Sequence, residues 1–238
     1  MLESAMSSRI SVIALGVCLP LVAAAAQPRV EVVTTDHADF AAGGLIRLEG
    51  ASGEVNIVGW DSPAVEIVTT RYTFSYDKAR ATERLNAIKV TKESAGPGEL
   101  KIVTTHQRLR GLHVDYQIHV PRDSRLLIHH EIGDVVVFDV SGGIEATTRI
   151  GDIVVQLPEP AHYTIDASAR IGGVYSDFDD AHRERLTGRQ LTQDVPAADA
   201  KAPARQVKLH VGLGGITIQK SSPEGPGPAT TAPGSRTT

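Results

Sequence analysis

Two aspartates raise the first chemical question. Asp134 and Asp152 each follow a glycine, in Ile132-Gly133-Asp134-Val135 and Ile150-Gly151-Asp152-Ile153, eighteen residues apart. If each motif is one turn of a regular stack, the two carboxylates lie on adjacent turns roughly 5 Å apart, the separation at which a retaining glycosidase holds its acid and its nucleophile. A working pair also needs a groove for the sugar and aromatic platforms beside it. Residues 135–149 hold one Phe and no Trp or Tyr, and Trp60 is the only tryptophan. A carboxylate directly after a corner glycine has the amides of its own turn within reach. A structural role for both aspartates is therefore expected. A polysaccharide hydrolase or lyase working through stacked Asp134 and Asp152 is the alternative.

Histidines raise the second question. His113 and His119, with Asp115 between them, and His129-His130-Glu131 are read as lying on neighbouring strands. Neutral imidazoles with a carboxylate are zinc ligands. Six residues of one strand separate His113 from His119 by about 20 Å, too far to share a metal, so a site would have to pair one of them with His129 or His130. Exposed strand histidines usually bind nothing, and no metal ligand is assigned. No GxSxG elbow accompanies the chain's Ser, His and Asp residues. No glycine-rich loop opens a helix, so no nucleotide site is expected. No catalytic or cofactor-binding residue is assigned, no cofactor is expected, and the chain is not expected to be an enzyme.

Composition narrows the partners. The 238 residues carry a net charge of -4 and only 4% aromatics, without the basic face a nucleic-acid binder needs. Residues 1–26 read as a signal peptide: Arg9 supplies the positive region, Ile10 to Ala26 is apolar, and Ala24 and Ala26 place cleavage before Gln27. The lone cysteine, Cys18, lies inside that segment, leaving the rest without a thiolate, disulfide or cysteine metal site. An exported chain of this kind depends on its core and its ladder hydrogen bonds.

These residues must be positioned by strands. "VEVVTT" (30–35), "GLIRLEG" (44–50), "GEVNIVGW" (53–60) and "AVEIVTTRYTFSY" (64–76) are β-branched or alternating runs separated by Gly, Ser and Pro. "LHVDYQIHVP" (112–121) alternates most clearly, with Leu112, Val114, Tyr116, Ile118 and Val120 on one face. One segment has helical period: Ala81, Leu85 and Ile88 in "DKARATERLNAI" (77–88) predict a short helix packed on the sheet. Strands are expected again at 88–92 and 100–105. The repeat follows: "SGEVNI" (52–57), "IGDVVV" (132–137), "IGDIVV" (150–155), "IGGVYS" (171–176) and "LGGITI" (213–218). A period near 20 residues predicts a stacked, solenoid-like array in which each unit buries its neighbour's apolar face. Each glycine is expected at a corner that needs positive φ or close approach. Residues 179–205 read as a polar loop inserted in the last repeat, and the Pro-, Gly- and Thr-rich residues 221–238 as a disordered tail. The domain is expected to span 27–220.

The order of these motifs resembles the putative-adhesin family of exported bacterial domains of unknown function. "GEVNIVGWDSPAVEIVTT", the helix at 77–88, "VDYQIHVPRDSRLLIHHEIGDVVV" and "GGIEATTRIGDIVV" carry the resemblance, over residues 42–219. Gly173 departs from it, standing where the acid of the Gly-Asp pair belongs. The resemblance implies a mostly-β, right-handed solenoid- or prism-like stack of short strands with one short helix. It also implies export to the periplasm or cell surface, with no shared catalytic residues. A non-catalytic adhesin or interaction scaffold for an envelope protein or polysaccharide is the expected function. Polar outer residues such as Thr147, Gln156 and Lys208 suit such contacts. Self-assembly end to end through open strand edges is a further alternative.

Overall fold

The computed structural model describes residues 27–96, 98–105, 111–159, 161–178, 190–196 and 203–221. The expected signal peptide and most of the expected tail lie outside these residues, as do 179–189 and 197–202 of the polar insert. Alternation of β-branched and polar residues gives the strands β1 (Arg29–Asp39), β2 (Leu45–Ser52), β3 (Val55–Trp60), β4 (Ala64–Phe74), β5 (Lys89–Gly96), β6 (Glu99–Thr105), β7 (His113–Pro121) and β8 (Arg125–Ile132). Shorter runs after the corner glycines alternate with longer ones in β9 (Val135–Phe138), β10 (Ile144–Ile150), β11 (Ile153–Leu157), β12 (Tyr163–Ile171) and β13 (Val174–Ser176). β14 (Gln190–Val195), β15 (Arg205–Leu213) and β16 (Ile216–Lys220) complete the described set.

The strands form two open sheets of eight. The first runs β1-β4-β7-β3-β9-β11-β16-β13 and the second β14-β12-β15-β10-β8-β2-β6-β5. Each repeat places a long strand in the second sheet and, across a corner glycine, a short strand in the first. Equivalent strands pair in parallel and in register: Ile153 opposite Val135 and Ile216, Ile150 opposite Ile132 and Leu213. Antiparallel strands flank the parallel stretches: β4 and β1 in the first sheet, β5 and β14 in the second.

The repeats do not stack in chain order. β16 lies between β11 and β13, and β15 between β10 and β12, so the Gly214 repeat separates the Gly151 repeat from the Gly172 repeat. Five similar motifs leave neighbour choice open in the sequence. β15 meets β12 over eight registered pairs and β10 over six. The insert expected as a loop also holds β14, whose residues 190–195 run antiparallel along the outer edge of β12.

Inward residues of both sheets form one core, in which Leu48, Val55, Ile57, Ile118, Val137, Val155, Ile165 and Val211 are fully buried. Each such side chain contributes about 1.5–3 kcal/mol of burial. The hydroxyls of Tyr116 on β7 and Thr104 on β6 bond to each other across the two sheets. Helix α1 (Lys78–Asn86) packs Ala81 and Leu85 onto β1 and β4. The Asp77 carboxylate caps it by accepting the Arg80 N–H at 3.0 Å. Ile88, just past the helix, is buried at the spacing the sequence predicts.

Candidate functional site

The corner where each repeat crosses between sheets is a ladder of glycines. Gly53, Gly133, Gly151, Gly214 and Gly172 have φ between 128° and 143°. Their carbonyls stack: a Cβ at Gly133 would sit 1.7 Å from the Gly53 oxygen, at Gly151 2.1 Å from that of Gly133, and at Gly172 1.8 Å from that of Gly214. Both reasons expected for these glycines, positive φ and close approach, hold together.

The acids beside them act along the stack. Asp134 Oδ1 accepts the Asp152 N–H at 2.8 Å, and Asp152 Oδ1 accepts the Gly215 N–H at 2.7 Å. Asp115 Oδ1 accepts the Glu54 N–H at 2.9 Å in the same way. The expectation that each aspartate caps its own turn is corrected: each reaches the amide of the adjacent repeat. Parallel stacking brings that amide to the carboxylate because equivalent residues lie one strand spacing, about 4.8 Å, apart. Gly173, where the acid is missing, belongs to the outermost repeat among the described residues.

The expected neighbourhood of histidines does not form. β7, carrying His113 and His119, is in the first sheet, and β8, carrying His129 and His130, is in the second. The strands are consecutive in the chain, but a corner intervenes at Pro121–Ser124. His113 stacks on Tyr72 with ring centroids 5.0 Å apart. His119 stacks on Trp60 at 5.2 Å and lies 3.2 Å from Glu66 Oε1. Among the described residues, no three His, Cys, Asp or Glu side chains gather as a metal site. His130 is buried, and its Nε2 donates to the Gly53 carbonyl at 2.8 Å. Burial pushes its pKa below the ordinary histidine value, against the opposing pull of the Gly53 and Ile132 carbonyls and of nearby Glu131 and Asp134. Gly50 makes room for the ring, since a Cβ there would stand 2.5 Å from Nδ1.

The outward face of the second sheet carries an open trough of about 640 Å³ across β2, β8, β10, β15 and β12. One wall is Glu49, His129, Thr147 and His210, and the other Glu131, Arg149 and Arg170, with Gly212 leaving a gap. Register sets these rows: His129 stands opposite Glu49 and Thr147, and Thr147 opposite His210. Glu49 pairs with Lys101 at 3.1 Å, Arg149 loosely with Glu131 at 3.8 Å, and His210 bonds Ser168 at 2.9 Å. Charge of both signs along a shallow floor suits an extended polar ligand, not a small molecule enclosed on all sides. Thr147 and Lys208 lie on this outward face and Gln156 on that of the first sheet, as expected.

Sequence reading missed a column of aliphatics, three exposed and one, Ile150, half-buried. Ile132, Ile150, Leu213 and Ile171 occupy equivalent positions just before the corner glycines. Ile132, Leu213 and Ile171 are 41%, 46% and 55% exposed. Each reads as the start of a core-forming run, yet here the core ends at the corner. The signal was the same residue class before four of the five glycines.

No family model matches the chain, and no curated protein matches it. Among solved structures it is similar to a putative cell adhesion protein from Clostridium sporogenes, at 14% identity over 82% of this chain and all of that one, with a TM-score of 0.47. It is also similar to putative adhesins from Parabacteroides distasonis and Parabacteroides merdae. Each is 9% identical over 80% of this chain and 97% or 96% of the other, with a TM-score of 0.23. At such identities and scores the functional question rests on this chain's own geometry.

Proposed function

We propose that this chain is a non-catalytic exported cell-envelope protein, an adhesin or interaction scaffold, whose parallel repeats form a solenoid-like stack. The observation that carries this reading is the engagement of Asp134 and Asp152. Each offers an oxygen to the backbone of the adjacent repeat, so the carboxylates best spaced for glycoside chemistry are part of the fold's own bonding. A general acid needs its carboxyl held protonated by burial or by a neighbouring charge. A surface available for contact is the trough of the second sheet, whose donors and acceptors stand in rows that suit an extended polysaccharide or protein segment.

The test offers the purified chain a panel of neutral, uronate-containing and sulfated polysaccharides and insoluble envelope fractions. It measures binding and reducing ends together. Binding to a polymer or fraction, weakened by Arg149→Ala or His129→Ala, without new reducing ends is the expected result. Product release by the wild type but not by a folded Asp134→Asn/Asp152→Asn variant would replace the scaffold with a glycosidase. Absence of binding to every polymer and fraction would overturn the scaffold reading as well.

A further inference from the structure

Singly exposed aliphatics are ordinary on a protein surface. Ile132, Ile150, Leu213 and Ile171 are not scattered: they follow one another on four adjacent strands, in that order. At one strand spacing per step the ridge is about 14 Å long. A continuous apolar stripe rimmed by charge marks a protein contact. What fits it is set by the two rows beside it. On the second-sheet flank, in the same order, stand Glu131, Arg149, Gly212 and Arg170. On the first-sheet flank stand Asp134, Asp152, Gly215 and Gly173.

We propose that the ridge is a homodimer interface, in which two copies pack their ridges antiparallel about a two-fold axis perpendicular to the stack. A two-fold contact must be self-complementary, and both flanks meet that demand when reversed. Glu131 of each copy faces Arg170 of the other. Arg149 of each faces the gap at Gly212. Asp134 and Asp152 face Gly173 and Gly215, so no like charges stand opposite. The apolar pairs are Ile132 with Ile171 and Ile150 with Leu213. The parallel arrangement, with the axis along the ridge, fails the same test because Glu131 would face Asp134. The antiparallel operation also places the second sheet of both copies on one side, which sets their troughs next to each other. The second-sheet flank is also the Glu131, Arg149 and Arg170 wall of the trough, so a dimer and a trough ligand would share that row, and association is measured on the chain alone.

The experiment is sedimentation velocity on the purified chain over a wide concentration range, with thermal melting as the folding control. The wild type is expected to shift from monomer toward dimer as concentration rises. Leu213→Lys and Ile171→Lys are expected to hold it monomeric; both positions are exposed, so folding should persist, and either suffices if the other fails to fold. Glu131→Arg and Arg170→Glu should each weaken association at least about tenfold, through like-charge contact. The combination of the two should restore it, a rescue that only the antiparallel register predicts. A wild type that stays monomeric at every concentration would overturn the proposal. So would a dimer indifferent to the lysine variants, or charge reversals whose combination is no better than either alone.

Discussion

At Gly133 a methyl group would meet the Gly53 carbonyl at 1.7 Å, on a backbone whose φ of 128° other residues avoid. Neither side can yield, because the carbonyl belongs to the adjacent ladder. Gly133→Ala and Gly151→Val should each lower stability by at least about 2 kcal/mol. Gly98→Ala, where a Cβ meets nothing within 4 Å, should leave the denaturation midpoint unchanged. Equal midpoints for all three would show the corner to be pliable. The acids next to these glycines are worth less. Asp152→Ala removes the acceptor for the Gly215 N–H and should cost about 0.5–1.5 kcal/mol, with Asp152→Asn losing less because it keeps an oxygen. His130 adds a pH dependence. Its folded pKa is depressed by burial, so between that value and the unfolded value of about 6.5 the unfolded chain binds the proton and the folded chain does not. Its contribution is therefore fully present above about pH 6.5 and is lost as pH falls through the folded pKa. Urea midpoints measured from pH 7.5 to pH 5 should fall, and should fall less in His130→Gln. Identical slopes in the two proteins would remove His130 as the cause.

Elements differ in how far local sequence decides them. Helix α1 was legible because its cap at Asp77 and its apolar spacing at Ala81, Leu85 and Ile88 are both local. Leu85, fully buried, should cost about 2–5 kcal/mol as Leu85→Ala, whereas Asp77→Ala should cost about 1 kcal/mol, read from the same chemical melts. A loss at Leu85 no greater than at Asp77 would mean that the helix is only loosely seated. The alternating strands β2 and β7 were legible for the same local reason, and the corner glycines through their recurrence. β14 was not: "QLTQDV" alternates only weakly and its single partner, β12, lies more than twenty residues earlier. The Asp134 and Asp152 bonds were half legible. A corner acid implied a backbone amide, but whose amide depended on stacking. The histidines misled because closeness in sequence, across Pro121–Ser124, hides a change of sheet.

Neighbour order across the whole molecule makes the last repeats interdependent. In an array stacked in chain order, removing the final unit leaves every other contact intact. Here the final unit, β15 and β16, is the bridge between β10–β11 and β12–β13. Cutting the chain after Phe178 would remove that unit together with β14. It would strip both edges from β12 and the parallel partner from β13. Tyr163, Ile165 and Ala167, buried in the intact chain, would have no sheet to hold them against the core. β2–β3 and β8–β9 keep their mutual pairing and their contacts with β6 and β7. Hydrogen exchange on the chain ending at Phe178 should therefore show residues 163–176 losing protection almost completely, while 45–60 and 113–138 stay protected. Retained protection at 163–176 would mean that β12 and β13 can dock directly on β10 and β11, and that the observed order is one of two stable stackings. Uniform loss along the whole chain would instead show that the stack folds as one cooperative unit, with the bridging repeat as its keystone.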